Sequence, residues 1–159
     1  MNKESGKSYT VKEATVKLMQ FCAYRERSQK EVEDKLMEMR MIPEAREQII
    51  ISLMQDGFLN EERFARSFVR GKFRIKKWGR KKILQELKLR EISSPIIKLA
   101  LSEIDQKEYL KALYYLAEKK NNLLKETNKF KRKKKLADHL LQKGYESELV
   151  FEAVNTLIE

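Results

Sequence analysis

Glycine and proline are scarce in this chain, with five and two among 159 residues. A β-sandwich or barrel needs such residues at its turns, and a dinucleotide-binding domain needs a glycine loop. Both are disfavoured, and the chain reads as almost entirely helical. Cysteine is limited to Cys22 and histidine to His139, so no intramolecular disulfide and no zinc site of Cys and His can form. Cys22 stands between Phe21 and Ala23 on an apolar stripe, the setting of a packed thiol rather than a reactive one. The longest stretch without a charge is Gln48–Gln55, far below the roughly 20 residues that span a membrane. Met1-Asn2-Lys3-Glu4-Ser5-Gly6-Lys7 has no apolar signal region, and a reducing cytoplasm is the expected setting. Catalytic constellations are missing too. There is no phosphate loop and no pair of carboxylates in an apolar setting, and the adjacent Asp138 and His139 point about 100° apart on a helix. Neither an enzyme activity nor a cofactor or metal is expected.

Positive charge is what the chain has in excess. Lys and Arg number 35 against 24 Asp and Glu, a net +11. Met1–Gly57 holds ten basic and ten acidic residues, Phe58–Asp105 thirteen and six, and Gln106–Glu159 twelve and eight. A neutral end joined to a basic remainder suggests that a polyanion, or an acidic protein groove, docks on one part of the molecule. The plainer alternative is a basic surface kept for solubility.

Hydrophobic periodicity gives the architecture. Val11, Ala14, Leu18, Phe21 and Cys22 repeat at helical spacing on a first long helix. Ser28 and Glu31 form a capping box ahead of Val32, Leu36 and Met39. Pro43 opens a third helix with Ile49, Ile50 and Leu53 inward, which Gly57 stops. The steps then recur, from Asn60 with Phe64, Phe68 and Ile75 inward, through Gly79 with Ile83 and Leu87, to Ser94-Pro95 with Ile97, Leu101 and Ile104. A third round starts at Asp105 with Leu110, Leu113 and Leu116, continues through Leu136 and Leu140, and ends in a helix capped by Ser147. Val32 and Leu36 map onto Ile83 and Leu87 by a shift of 51, and these onto Leu136 and Leu140 by 53. The expectation is an all-α array of three tandem three-helix repeats, each long–short–short. Residues 1–9 form a tail, followed by repeats over 10–57, 58–105 and 106–159, with Asn121–Asn128 the softest joint.

Arg63–Gln85 contains Arg63, Arg66, Arg70, Lys72, Arg74, Lys76, Lys77, Arg80, Lys81 and Lys82 and no acidic residue. Arg63, Arg66, Arg70, Arg74 and Lys77 line one side of the long helix if it continues that far, turned away from Phe64, Phe68 and Ile75. Phosphates or clustered carboxylates are what such a row holds, because Arg offers a planar fork of donors. Trp78 interrupts the run; it can stack on a base, although a Trp at a helix junction more often plugs a core. A second run, Lys129, Lys131, Arg132, Lys133, Lys134 and Lys135 around Phe130, precedes the second helix of repeat three. Its placement matches that of Lys76–Lys82 and would allow one continuous basic strip.

Arg25-Glu26-Arg27-Ser28-x-x-Glu31-Val32-x-x-Lys35-Leu36, then Gly57-Phe58-Leu59-Asn60-Glu61-Glu62-Arg63-Phe64-Ala65, then Gly79-x-x-x-Ile83-x-x-Glu86-Leu87 resemble the RecX family of bacterial recombinase regulators. The order and repetition cover about residues 10–158. The chain departs from the family pattern at Asn60-Glu61, often Asp-Asp; at Gly79-Arg80, often Gly-Pro; and at Glu91, where a glycine is common. The resemblance implies an elongated, curved array that binds as a monomer in the groove of the RecA filament on single-stranded DNA. There it suppresses ATP hydrolysis, strand exchange and coprotease activity, in the cytoplasm and without a cofactor. Contacts are assigned from charge alone, to the two basic runs. The competing readings are a general nucleic-acid-binding module and a helical adaptor for another acidic protein.

Overall fold

A computed structural model of the chain describes residues 8–159, so residues 1–7 of the expected tail lie outside the described residues. Within them are nine α-helices and no strand: α1 (Val11–Tyr24), α2 (Gln29–Glu38), α3 (Pro43–Gln55), α4 (Glu61–Arg74), α5 (Arg80–Leu89), α6 (Ser94–Leu101), α7 (Gln106–Leu123), α8 (Lys129–Gln142) and α9 (Ser147–Leu157). They pack in threes, with α3 against α1 and α2, α4 against α5 and α6, and α7 against α8 and α9.

Side-chain caps explain most of the helix starts. Thr10 with Glu13, and Ser28 with Glu31, form reciprocal boxes. Asn60, Asp105 and Asn128 each accept the N–H three residues on, at 2.9, 3.1 and 3.0 Å. Ser147 does not cap; it is the first helical residue of α9, and Glu146 holds the cap position without a side-chain bond. The length pattern also differs from expectation. α3 has 13 residues against 14 in α1, because its apolar run Ile49–Leu53 has no breaker before Gly57.

The register is as expected: Val32, Leu36, Ile83, Leu87, Leu136 and Leu140 are all fully buried. Two expectations for inward residues fail. Ile75 is 81% exposed, because α4 ends at Arg74 and the chain leaves the helix through Lys77 at φ 56°. In α7 the buried stripe is Tyr109, Ala112, Leu113 and Ala117, with Leu110 and Leu116 on its flanks. Small alanines between large residues shift the stripe by one position.

The repeat is also written in the backbone. Arg40, Glu91 and Gly144 follow α2, α5 and α8 with φ of 61°, 59° and 97°. After each, an N–H reaches back to a carbonyl five residues earlier: Met41 to Leu36, Ile92 to Leu87, and Tyr145 to Leu140. Met41, Ile92 and Tyr145 are buried as a result. Glu91 therefore stands where glycine is the unstrained choice. Its carboxylate also adds to the burial that pushes the Glu61 carboxyl above the usual range. Glu91→Gly is expected to stabilise the fold by about 0.5 kcal/mol, the relief of left-handed strain less the added freedom of the unfolded chain. A higher urea midpoint at unchanged m-value checks this.

Packing divides the nine helices unequally. Ala14 to Leu59 form one core, whereas residues from Phe64 to Ile158 form a second core shared by α4–α9. The joint inside the larger body is backbone against backbone. Gly79 N–H donates to the Lys143 carbonyl at 2.7 Å and Lys81 N–H to the Gly144 carbonyl at 2.9 Å. Tyr145 Oη donates to the Lys77 carbonyl at 2.8 Å. Arg80 N–H donates to Tyr109 Oη at 2.9 Å, and that hydroxyl donates to Glu146. A proline at position 80 could not make the first of these two bonds.

Both phenols are held neutral. Burial first, and then the Glu146 carboxylate, push Tyr109 and Tyr145 well above the ordinary tyrosine range. Below about pH 10 the phenols are neutral in folded and unfolded chain alike, and their stabilising effect is complete. Above it the unfolded chain alone releases the protons, so stability falls as pH rises. Melting temperatures between about pH 8 and 11 should drop, and less steeply for Tyr109→Phe; a flat profile would contradict this.

Candidate functional site

The structure sorts the expected cations into those already engaged and those that are free. Arg63 binds Glu26 at 2.5 Å and the Gly57 carbonyl at 2.9 Å, linking the two cores. Arg66 and Arg70 both grip Glu103 from α4, at 3.1 and 3.2 Å. The hydrogen bond from Arg66 is the main cause that holds the Glu103 carboxyl below the usual range. Arg80 binds Glu146 at 2.8 Å, with its guanidinium 3.9 Å from the Tyr109 ring centre. Arg132 donates to the Asn121 side chain and carbonyl and to the carbonyls of Leu124 and Glu126, tying down the segment expected to be softest. Lys135 pairs with Glu126 at 3.6 Å, and Lys133 donates to Asn155 at 3.2 Å.

The remaining side chains, Arg74, Lys76, Lys77, Lys81, Lys82, Lys129, Lys131 and Lys134, have no carboxylate at ion-pair distance among the described residues. Lys72 belongs with them. The free cations of the first run surround the α4–α5 turn, where the chain has left the helix. Lys77 is therefore off the expected row, and its ammonium lies 5.3 Å from the Tyr115 ring centre. Arg74, Lys77, Lys111 and Tyr115 line a cleft of about 350 Å³.

The second run does not precede its helix; it forms the first two turns of α8. Asn128 caps that helix, so Lys129–Lys135 is helical rather than frayed. The two runs do not adjoin. Gly79 and Lys81 touch the far end of α8, at Lys143 and Gly144, about 12 Å along the axis from Lys135.

Residues of the repeat-one motif are structural. Arg25 pairs with Glu31 at 2.7 Å, and Arg27 lies 3.7 Å from the Phe21 ring centre while donating to the Phe21 carbonyl. Ser28 is fully buried in its capping box. Cys22 is buried, and burial pushes its thiol up, away from reactivity. Burial, then Lys120 and Lys143, lowers His139, which is half-buried. Between the first unit and α4–α5 runs an open groove of about 740 Å³, lined by Lys30, Asp34, Phe68, Lys72, Lys76 and Leu89 among others. Sequence reasoning missed Glu103 and Glu146 as the groups that neutralise Arg66, Arg70 and Arg80. They stand 33 to 66 positions away, and no local pattern marks them.

A tandem three-helix array, with paired arginines inside and unpaired cations at the α4–α5 turn and on α8, is the architecture of a helical-repeat protein. Its second and third units match family models of the RecX second three-helix domain, over residues 60–101, and the RecX third three-helix domain, over 107–154. The chain belongs to the RecX family of regulatory proteins. Regulatory protein RecX of Clostridium perfringens strain 13 is 35% identical over 122 residues, 76% of this chain and 57% of the relative. The Oceanobacillus iheyensis protein is 29% identical over 141 residues, 89% of this chain and 52% of the relative. The chain thus spans little more than half the length of these curated relatives. The crystal structure of RecX from Lactobacillus salivarius superposes with a TM-score of 0.83 at 25% identity, covering 92% of this chain and 96% of the other. No described helix is long and apolar enough to cross a membrane.

Proposed function

We propose that this chain modulates the RecA recombinase, lying as a monomer in the groove of the RecA filament on single-stranded DNA. There it suppresses ATP hydrolysis, strand exchange and coprotease activity, in the cytoplasm and without a cofactor. Membership of the RecX family supports the regulatory role. The observation that carries the binding mode is the set of unpaired cations at the α4–α5 turn and on α8. Such groups keep their full charge for phosphates or for acidic protein walls, whereas a side chain already bridged to a carboxylate does not. Arg66, Arg70 and Arg80 act in this reading as internal braces, and the binding role falls to Lys72, Arg74, Lys76, Lys77, Lys81, Lys82, Lys129, Lys131 and Lys134.

The alternative is a general nucleic-acid-binding module with no recombinase partner, which the same unpaired cations favour. RecA ATPase measured on single-stranded DNA separates the two. A filament modulator lowers the rate at amounts well below one chain per RecA protomer. A module that only competes for DNA lowers it in proportion to the DNA it covers, and excess DNA abolishes the effect.

A further inference from the structure

Five side chains, from α4, α5, the turn between them and the residue that ends α5, alternate cation and aromatic ring. Arg90 lies 4.7 Å from the Phe68 ring centre, and Lys72 lies 5.4 Å from Phe68 and 4.9 Å from Trp78. Lys82 lies 4.5 Å from Trp78. Arg90 has a carboxylate partner, Glu86, at 2.9 Å. Lys72 and Lys82 have none among the described residues, where their ammoniums rest on the rings alone. Trp78 is half-buried and packs against the shared core, with both lysine ammoniums within 5 Å of its ring centre. Lys76 lines the same groove as Phe68, Lys72 and Arg90, and it too has no carboxylate partner among the described residues.

We infer that this row is a base-stacking strip for single-stranded nucleic acid, with Trp78 as its platform and Lys72 and Lys82 as its phosphate contacts. An ammonium resting on a ring at a partly solvated site is weakly held, and a phosphate is a far better partner for it. When a strand approaches, both lysines swing from the indole to the backbone, and the ring face they leave takes a base. A single strand supplies flat rings and phosphates in alternation, the complement of this row. Duplex DNA keeps its ring faces stacked inside and satisfies only the lysines, so the strip prefers single strands. The inference requires no recombinase and stands or falls apart from the filament reading. The competing account is a purely internal brace in which the lysines hold α5 to the end of α4.

Trp78 is the only tryptophan, so its emission reports the strip alone. The intact chain is titrated with an oligothymidylate of about twelve nucleotides, with an abasic strand of equal length, and with duplex. The expected result is quenching of Trp78 by oligothymidylate only, with the abasic strand binding about tenfold more weakly or worse. Lys72→Ala with Lys82→Ala should weaken oligothymidylate binding and reduce the salt slope by about two charges, with unchanged helical circular dichroism. Trp78→Phe, which keeps a ring against the core, should bind labelled oligothymidylate severalfold more weakly. Binding without quenching, equal affinity for abasic and base-bearing strands, or no binding of oligothymidylate would each overturn the inference.

Discussion

Gly144→Ala is expected to cost the fold about 3 kcal/mol or more, a large effect for one methyl group. A Cβ at Gly144 would stand 2.4 Å from Lys82 Cβ and 2.6 Å from the Lys82 nitrogen, at a φ of +97° that disfavours any side chain. Gly79→Ala should cost as much, since its Cβ would meet the carbonyl carbon and oxygen of Gly144 at 2.3 Å. Backbone lies on both sides of the contact, so no rotamer change relieves it. The only relief is to part α5 from the end of α8. That breaks the Gly79–Lys143 and Lys81–Gly144 hydrogen bonds and opens the core shared by α4–α9. Gly71→Ala is the control. Its Cβ meets nothing within 4 Å, and alanine in mid-helix should stabilise by roughly 0.5–1 kcal/mol. Urea unfolding measures all three, and a loss below about 1 kcal/mol at Gly144 would show that the two units do not touch there.

The second large effect is on binding. Replacing Arg74, Lys76 and Lys81 with Ala should raise the amount of protein needed to inhibit RecA ATPase by about two decades, with little change in melting. Charge-assisted contacts are worth roughly 1.5–3 kcal/mol each when partly desolvated, and 1.4 kcal/mol is tenfold, so two effective contacts suffice. None of the three side chains has an internal carboxylate to lose. Replacing Arg66 and Arg70 should do the reverse. Both leave Glu103 without its cations, so melting falls, and it falls most near neutral pH, where the depressed Glu103 carboxyl is ionised. Its inhibition at a temperature where it remains folded should stay near that of the wild type. Equal loss of inhibition in both variants would mean that net charge alone drives binding. Inhibition should also weaken steeply with salt.

Local signals in the sequence were enough for the number and order of the helices and for the register of α2, α5 and α8, though not for the inward stripe of α7. Ser28, Asn60 and Asp105 are caps because a short polar side chain before an apolar period can satisfy a free N–H. Leu36, Leu87 and Leu140 are core because the same spacing recurs. The end of α4 was not legible. Ile75 continues the apolar spacing of Phe64 and Phe68, and only the left-handed turn at Lys77, fixed by Tyr145 holding its carbonyl, takes it out of the core. Charge showed where the cations lie but not which are free. Arg66 and Arg74 look alike in the run, and the difference is Glu103, brought beside α4 by the packing of α6. Gly79 likewise reads as helix punctuation, at a start, and no local signal links it to Gly144. That they touch is a property of the fold.

The most direct test of the account is site-specific photo-crosslinking to RecA filaments on single-stranded DNA. A photoreactive residue is placed in turn at Lys76, at Lys134, and at Gln48 and Lys12 on the neutral first unit. The account predicts efficient crosslinks to RecA or to the DNA strand from positions 76 and 134, lost at high salt, and few from 48 and 12. Crosslinks confined to positions 48 and 12, or none from any position under conditions where the ATPase is inhibited, would contradict it.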